Sequence, residues 1–400
     1  MTPVQLRDLM PALANKTYFN YGGQGPLPTP SLQAITASWE RIQELGPFTA
    51  DIWPWLELET RGLRGSLAAL CGVPPERLAL TENVTSGCVL PLWGLPWQAG
   101  DELLISDCEH PGVVAACREL ARREKLTIST LQVKALRGDL TSSNASVLEA
   151  LENSLTPTTR LVVLSHLLWN TGQLMPIAAV AQRLGEHPRR PWLLVDAAQS
   201  VGSLPLAERG AEAFGAGAAS VADIYAFTGH KWCCGPEGLG GVALSERLLH
   251  ESQPTMGGWR SLANENIAGG SDASSAWHHD ARRFEVATSC APLLAGLKRS
   301  LQLLEAVAPA PQRLELIQAR SHQLWQGLGQ LPGVNPLLDV PPPAGLVSFV
   351  VDGANPGELV HQLGQRAIWL RTLDDPHCLR ACTHITTTEE EVELLLDALA

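Results

Sequence analysis

The chain has 400 residues, 45% of them hydrophobic and 18% charged, and a formal net charge of −12. That length suits one large unit with a smaller one, and the composition is that of a globular chain able to bury a sizeable core. Acidity with no basic cluster excludes phosphate-backbone binding, so nucleic acid is not an expected partner.

Met1 to Ala14 mixes Arg7 and Asp8 into a modest apolar pattern. It has neither the basic start nor the continuous apolar core of a signal peptide. No apolar run reaches the length of a membrane span, and Leu161–Leu168 is broken by Ser165 and His166. The expectation is a cytoplasmic protein without membrane contact.

Glu102–Ser106 (ELLIS) predicts a strand, followed by a helix over 112–123. Arg160–Ser165 (RLVVLS) predicts a second strand, with a helix over 176–184 after it. Trp192–Asp196 (WLLVD) is a third and Ala222–Ala226 (ADIYA) a fourth. β-rich runs alternating with helices predict an α/β fold whose mostly parallel sheet is covered on both faces. Ligands of such sheets bind beyond the carboxyl ends of the strands.

The pattern changes further on. Residues 254–282 are rich in Gly, Ser, Asn and Ala with poor periodicity, and read as loop. Helical patterns over 290–308 and 312–328, a strand at Leu346–Val351, and helices over 356–365 and 389–399 describe a smaller α+β unit. The nine cysteines include one adjacent pair, Cys233-Cys234, and no C-x-x-C pair. That argues against a zinc site and a disulfide framework, and no metal is expected; most are read as small buried hydrophobes.

Chemistry-bearing residues gather at the predicted strand ends. In Ala226–Trp232 (AFTGHKW), Phe227 and Trp232 bracket Lys231 with apolar bulk. Desolvation lowers a lysine pKa, which a Schiff-base amine requires. Asp196 ends the WLLVD strand; alone it reads equally as a helix N-cap, and in function as the carboxylate that keeps a pyridinium nitrogen protonated. Gln199, one turn on, is placed for the phenolic oxygen of such a ring. His110 follows the ELLIS strand just before Pro111, where the backbone is held extended, and suits an imidazole stacked on a ring face. Thr85-Ser86-Gly87 opens a helical run and offers hydroxyls and free N–H groups, as a phosphate cradle or a simple cap. Trp169-Asn170-Thr171-Gly172 reads as a turn, or places Asn170 near the ring oxygen.

In this order the segments YFNYGGQGPLP, ENVTSG, DCEHPG, SHLLWNTG, VDAAQS, TGHKW and RRFEVATS resemble the class V, cysteine desulfurase-like family of fold type I enzymes dependent on pyridoxal 5'-phosphate (PLP). The resemblance covers essentially the whole chain. It implies a large PLP-binding domain over 16–255 with a seven-stranded type of sheet, and a small domain of 1–15 and 256–400. It makes Lys231 the Schiff-base lysine and catalytic base. Asp196 and Gln199 then hold the pyridine nitrogen and phenolate, and His110 stacks on the ring. The phosphate falls to Thr85, Thr228 and His230, with Ser86 as a further candidate. Thr288 of RRFEVATS would reach the phosphate of the other subunit, which implies a homodimer.

Arg371 and Arg380 resemble the family's two arginine segments, the second of which binds the substrate carboxylate; the arginine fork suits that task. Desulfurases of the family carry a mobile loop with a nucleophilic cysteine between them. Here nine positions separate the two arginines, Pro376 lies in the gap, and Cys378 does not align with the loop cysteine. The subgroup resembled is that of cystine/cysteine C-S lyases, implying a small amino-acid substrate, cystine or cysteine, broken by β-elimination. Trp259 of GGWRS is expected as a wall of the substrate pocket or as a packing residue, and Gly22 and Gly23 as points of close substrate approach. A protein that accepts the released sulfur is a further expected partner. A cysteine desulfurase forming alanine, a catalytically silent scaffold of the same fold, and an aminotransferase remain open.

Overall fold

The computed structural model describes residues 1–46, 48–138, 140–263 and 277–400, with only the backbone of 140–142. Residues 264–276 of the expected loop over 254–282 therefore lie outside the described residues. A seven-stranded sheet runs in the order 78–81, 240–244, 224–228, 192–196, 159–165, 102–106 and 127–131. Of these, Gly240–Leu244 alone runs against its neighbours, and the rest are parallel. The expected α/β class and mostly parallel sheet are what the chain forms.

The central strands are buried along almost their whole length, as a sheet covered on both faces demands. Helix Pro111–Glu124 starts at His110, with proline at its first position, and stops at Lys125 in the left-handed conformation. The fourth predicted strand occupies Ile224–Thr228, two residues beyond the expected Ala222–Ala226, because Asp223 instead accepts a bond from the Leu193 amide at the strand entrance. Three strands carried no clear signal. Thr127–Leu131 is a largely exposed edge, while Leu78–Thr81 and glycine-rich Gly240–Leu244 are too short for a period to show.

A second, antiparallel sheet orders Arg371–Asp374, His377–Cys382, Leu346–Val351 and Val334–Pro336. Helices Ala310–Leu328, Pro356–Gln365 and Glu389–Leu399 cover it through Leu324, Leu328, Phe349, Leu363 and Leu395. The chain's start is tied to its end. Thr17–Tyr18 pairs in parallel with Ile368–Trp369, and both Arg7 terminal nitrogens bond Glu391 at 2.9 Å. Among the described residues no helix is long and apolar enough to cross a membrane.

Candidate active site

Parallel strands end together, so the residues just past Ser106, Ser165, Asp196 and Thr228 share one edge of the large sheet. A cleft of about 320 Å³, counting its mouth, opens there. Lys231, Asp196, Gln199 and His110 line it, with Val84, Ser165, Leu167, Trp169 and Ala198. Four residues from three strand ends, His110 far in the chain from the other three, thus meet in one cleft.

Burial pushes the Lys231 amine down to about 8, with Asp196 opposing the shift and Arg380 adding to it. A substantial fraction is then uncharged near neutrality, as a nucleophile and base must be. Asp196 accepts the Ala198 amide on Oδ1 at 2.9 Å, a turn-forming bond that leaves Oδ2 for an incoming cation. Among the described residues no helix directly follows Asp196, so the bond to Ala198 closes a turn and the expected helix N-cap does not form. His110 accepts the Gly112 amide on Nδ1 at 3.2 Å and stands edge-on to Trp169, ring centres 5.6 Å apart. Burial holds its pKa below the ordinary value, so it offers a neutral ring face.

Gln199 donates to the Gly22 carbonyl at 3.0 Å and accepts the indole N–H of Trp232 at 2.9 Å. The amide is thereby locked in orientation, with one N–H left over. On the phosphate side, Asn83 caps helix Val84–Leu92 by accepting the Ser86 amide at 2.9 Å. Thr85 lies beside the His110–Gly112 turn, and a side chain at Gly240 would press on both Thr228 and Asn83. Thr228 and His230 share a bond of 2.7 Å. Hydroxyls, an imidazole and a helix start thus gather beside the His110 and Lys231 turns, with Val84 of that helix lining the cleft, a setting that stabilises an anionic group.

The other end is built by the second sheet. Arg380 is only 1% exposed and donates from Nη1 to the Trp169 carbonyl at 2.8 Å, yet its Nε and Nη2 have no partner. A buried guanidinium with two idle nitrogens is costly unless a ligand anion completes it. A Cβ on Gly22 would lie 2.9 Å from Cys382 Sγ, 3.1 Å from Gln199 Oε1 and 3.2 Å from Arg380 Cζ, so glycine keeps this approach open. Gly23 has another reason: its Cβ would strike the Asn20 side chain. Arg371 faces Arg380 across the antiparallel register but is itself exposed.

Other expected residues lie apart from the cleft. Asn170 is buried, but its amide donates to the Asp375 carbonyl at 3.3 Å and accepts the Thr171 amide; the neighbouring Trp169 lines the cleft instead. Trp259, 40% exposed, stacks edge-on to Trp53, and Thr288 is exposed on the same surface segment. Neither lines the Lys231 cleft of its own chain. Ser165, Trp169 and Cys382 were missed. Cys382 had a signal in its position two residues after Arg380, which puts both side chains on one face of strand His377–Cys382.

PLP fits these residues on the structure's own terms: a desolvated amine, a carboxylate with a free oxygen, a polar cradle at a helix start and an orphaned buried arginine. Comparison with known proteins agrees. Residues 58–395 match the family model described as aminotransferase class-V. Isopenicillin N epimerase of Amycolatopsis lactamdurans is 30% identical over 98% of this chain and 95% of its own. The cystine C-S lyase C-DES, solved with its reaction product cysteine persulfide, is 44% identical with a TM-score of 0.89, covering 98% of both chains. A lysine-to-alanine mutant of C-DES, solved with glycine covalently linked to the PLP cofactor, is 43% identical with the same TM-score and coverage. The fold is fold type I, and PLP is the cofactor. The chain belongs to the aminotransferase class-V family and is an enzyme.

Proposed function

We propose that this class-V enzyme breaks a carbon–sulfur bond of L-cystine, or L-cysteine, by β-elimination to pyruvate, ammonia and cysteine persulfide or sulfide. The observation that carries this reading over a desulfurase is the turn between the two arginines. Strands Arg371–Asp374 and His377–Cys382 form a tight hairpin, paired up to Asp374 and His377, with only Asp375 and Pro376 between them. No loop is left there to carry a persulfide-forming thiol to the substrate. Cys378 is buried within the hairpin, and burial pushes its thiol up to about 11, so it is neither a thiolate nor mobile.

Arg380, with its two idle nitrogens, takes the substrate carboxylate and fixes the α-carbon over Lys231. The Lys231 Nζ, whose free-amine form burial makes accessible by holding the pKa at about 8, removes the α-proton. PLP bound against Asp196 supplies the electron sink for the charge left behind. A disulfide-linked β-sulfur leaves as the weakly basic persulfide anion, which favours cystine as the substrate. Similarity to C-DES supports the same choice.

The reading extends to a homodimer in which Thr288, and Trp259 with it, serve the cleft of the partner copy. It also extends to a cytoplasmic setting, a sulfur-accepting partner protein, and a division into 16–255 against 1–15 with 256–400. The test is product analysis with L-cystine and with L-cysteine. Pyruvate in step with substrate loss supports elimination. Alanine as main product makes the protein a desulfurase, and recovery of the D-isomer makes it an epimerase like the Amycolatopsis relative.

A further inference from the structure

Beneath the cleft lies a second carboxylate that none of the roles above uses. Glu109 precedes His110 and is 7% exposed. Its Oε1 accepts the Ser106 hydroxyl at 2.5 Å and the Ser165 amide at 2.7 Å, and its Oε2 accepts the Ser165 hydroxyl at 2.9 Å. Ser106 and Ser165 are the last residues of neighbouring parallel strands, and Ser165 stands directly opposite Asp196 in the next. One side chain therefore clamps the strand end that carries His110 to the strand end that abuts Asp196.

The charges around Glu109 are unusual. Asp196 acts on it from the adjoining strand, Cys88 from helix Val84–Leu92, Cys117 from helix Pro111–Glu124, and Cys108 from its own turn. His110 is its chain neighbour, and Lys231 lies across the cleft beyond Asp196. Among the described residues no cation pairs with Glu109. Burial, only partly offset by its bonds to Ser106 and Ser165, pushes it up to about 7. Two carboxylates in one buried floor, with Lys231 near Asp196 but no cation paired with Glu109, make a poor apoprotein arrangement and a good one for a ligand cation.

We propose that Glu109 is a positioning residue for the cofactor: it holds the His110 and Asp196 strand ends at ring spacing and reinforces the field of Asp196 toward the ring nitrogen. The inference rests on the cofactor and not on which sulfur compound is cleaved, so the product test above and the test below fail independently.

The test is Glu109→Gln, which keeps most of the clamp's bonding and removes the charge, with Glu109→Ala as its harsher companion. Three readouts are taken on purified protein: apoprotein melting, equilibrium PLP binding, and the midpoint of the bound cofactor's pH-dependent visible absorbance. For E109Q the expected result is an apoprotein melting at or above the parent, because an unpaired buried acid is gone. PLP binding should weaken about tenfold, and the absorbance midpoint should fall, since a nearby negative charge favours the cationic form of the cofactor. An E109Q protein that binds PLP as tightly as the parent with an unmoved midpoint overturns the proposal. So does one whose weaker binding is matched by a lower apoprotein melting temperature and an unmoved midpoint, which would make the clamp merely structural.

Discussion

The cleft around Lys231 and the surface segment carrying Trp259 and Thr288 come from one motif set, yet they differ in kind. Most groups in the cleft ride on a strand end or a short turn after one, and Asp196, Gln199 and Arg380 are buried, Arg380 to 1% exposure, although His110 is exposed at the mouth. Trp259 is 40% exposed, and neither it nor Thr288 reaches the cleft of its own chain. The first region gathers its groups from one chain. The second is an exposed surface, with Trp259 packed edge-on against Trp53, and it is the surface that the proposed homodimer would employ.

The comparison breaks most visibly if the cleft is not the reaction centre. Lys231→Ala should abolish the borohydride-sensitive visible band and lower turnover by at least about a thousandfold. Arg380→Ala should cut kcat/KM with cystine by about a hundredfold, mostly through KM, while the exposed Arg371→Ala should lose about tenfold or less. Equal losses from the two arginines would deny the buried one its special place.

A smaller effect follows from pH. Because burial lowers the Lys231 pKa to about 8, its free-amine fraction grows as pH rises toward that value and levels off above it. The rate at which apoprotein captures PLP should therefore rise about fivefold between pH 7 and pH 8, and a flat profile would count against a desolvated amine. The mildest change is expected at the surface segment. Thr288→Ala should weaken PLP binding about threefold, the loss of one hydrogen bond. Mixing it with Lys231→Ala protein should restore one site of parental affinity per mixed dimer, whereas no restoration would place Thr288 outside the partner's site.

Much of the cleft was legible because its signals are local. A strand that ends in Asp, a His fixed before Pro, a Lys set between aromatic residues and a Thr-Ser-Gly helix start each announce themselves within a few residues. The helices over 356–365 and 389–399 were equally plain, since their apolar period is carried by their own residues. Edge strand Thr127–Leu131 was not, because an exposed strand lacks the burial that writes the period-two pattern.

What depended on distant chain segments stayed hidden. Gly22 sits against Cys382, Gln199 and Arg380, residues that no local pattern connects with it. Glu109 looked like one more acid in a turn until Ser165 closed on it from the neighbouring strand.

The sequence by itself thus determined the fold class and the placing of Lys231, Asp196 and His110 at strand ends, because alternation and turn chemistry are short-range physics. Only the tertiary structure decided which arginine is left with idle nitrogens and which cysteine is walled in. It also decided which expected residues stand apart from the Lys231 cleft, because burial and unmet hydrogen bonds exist only once the strands lie side by side.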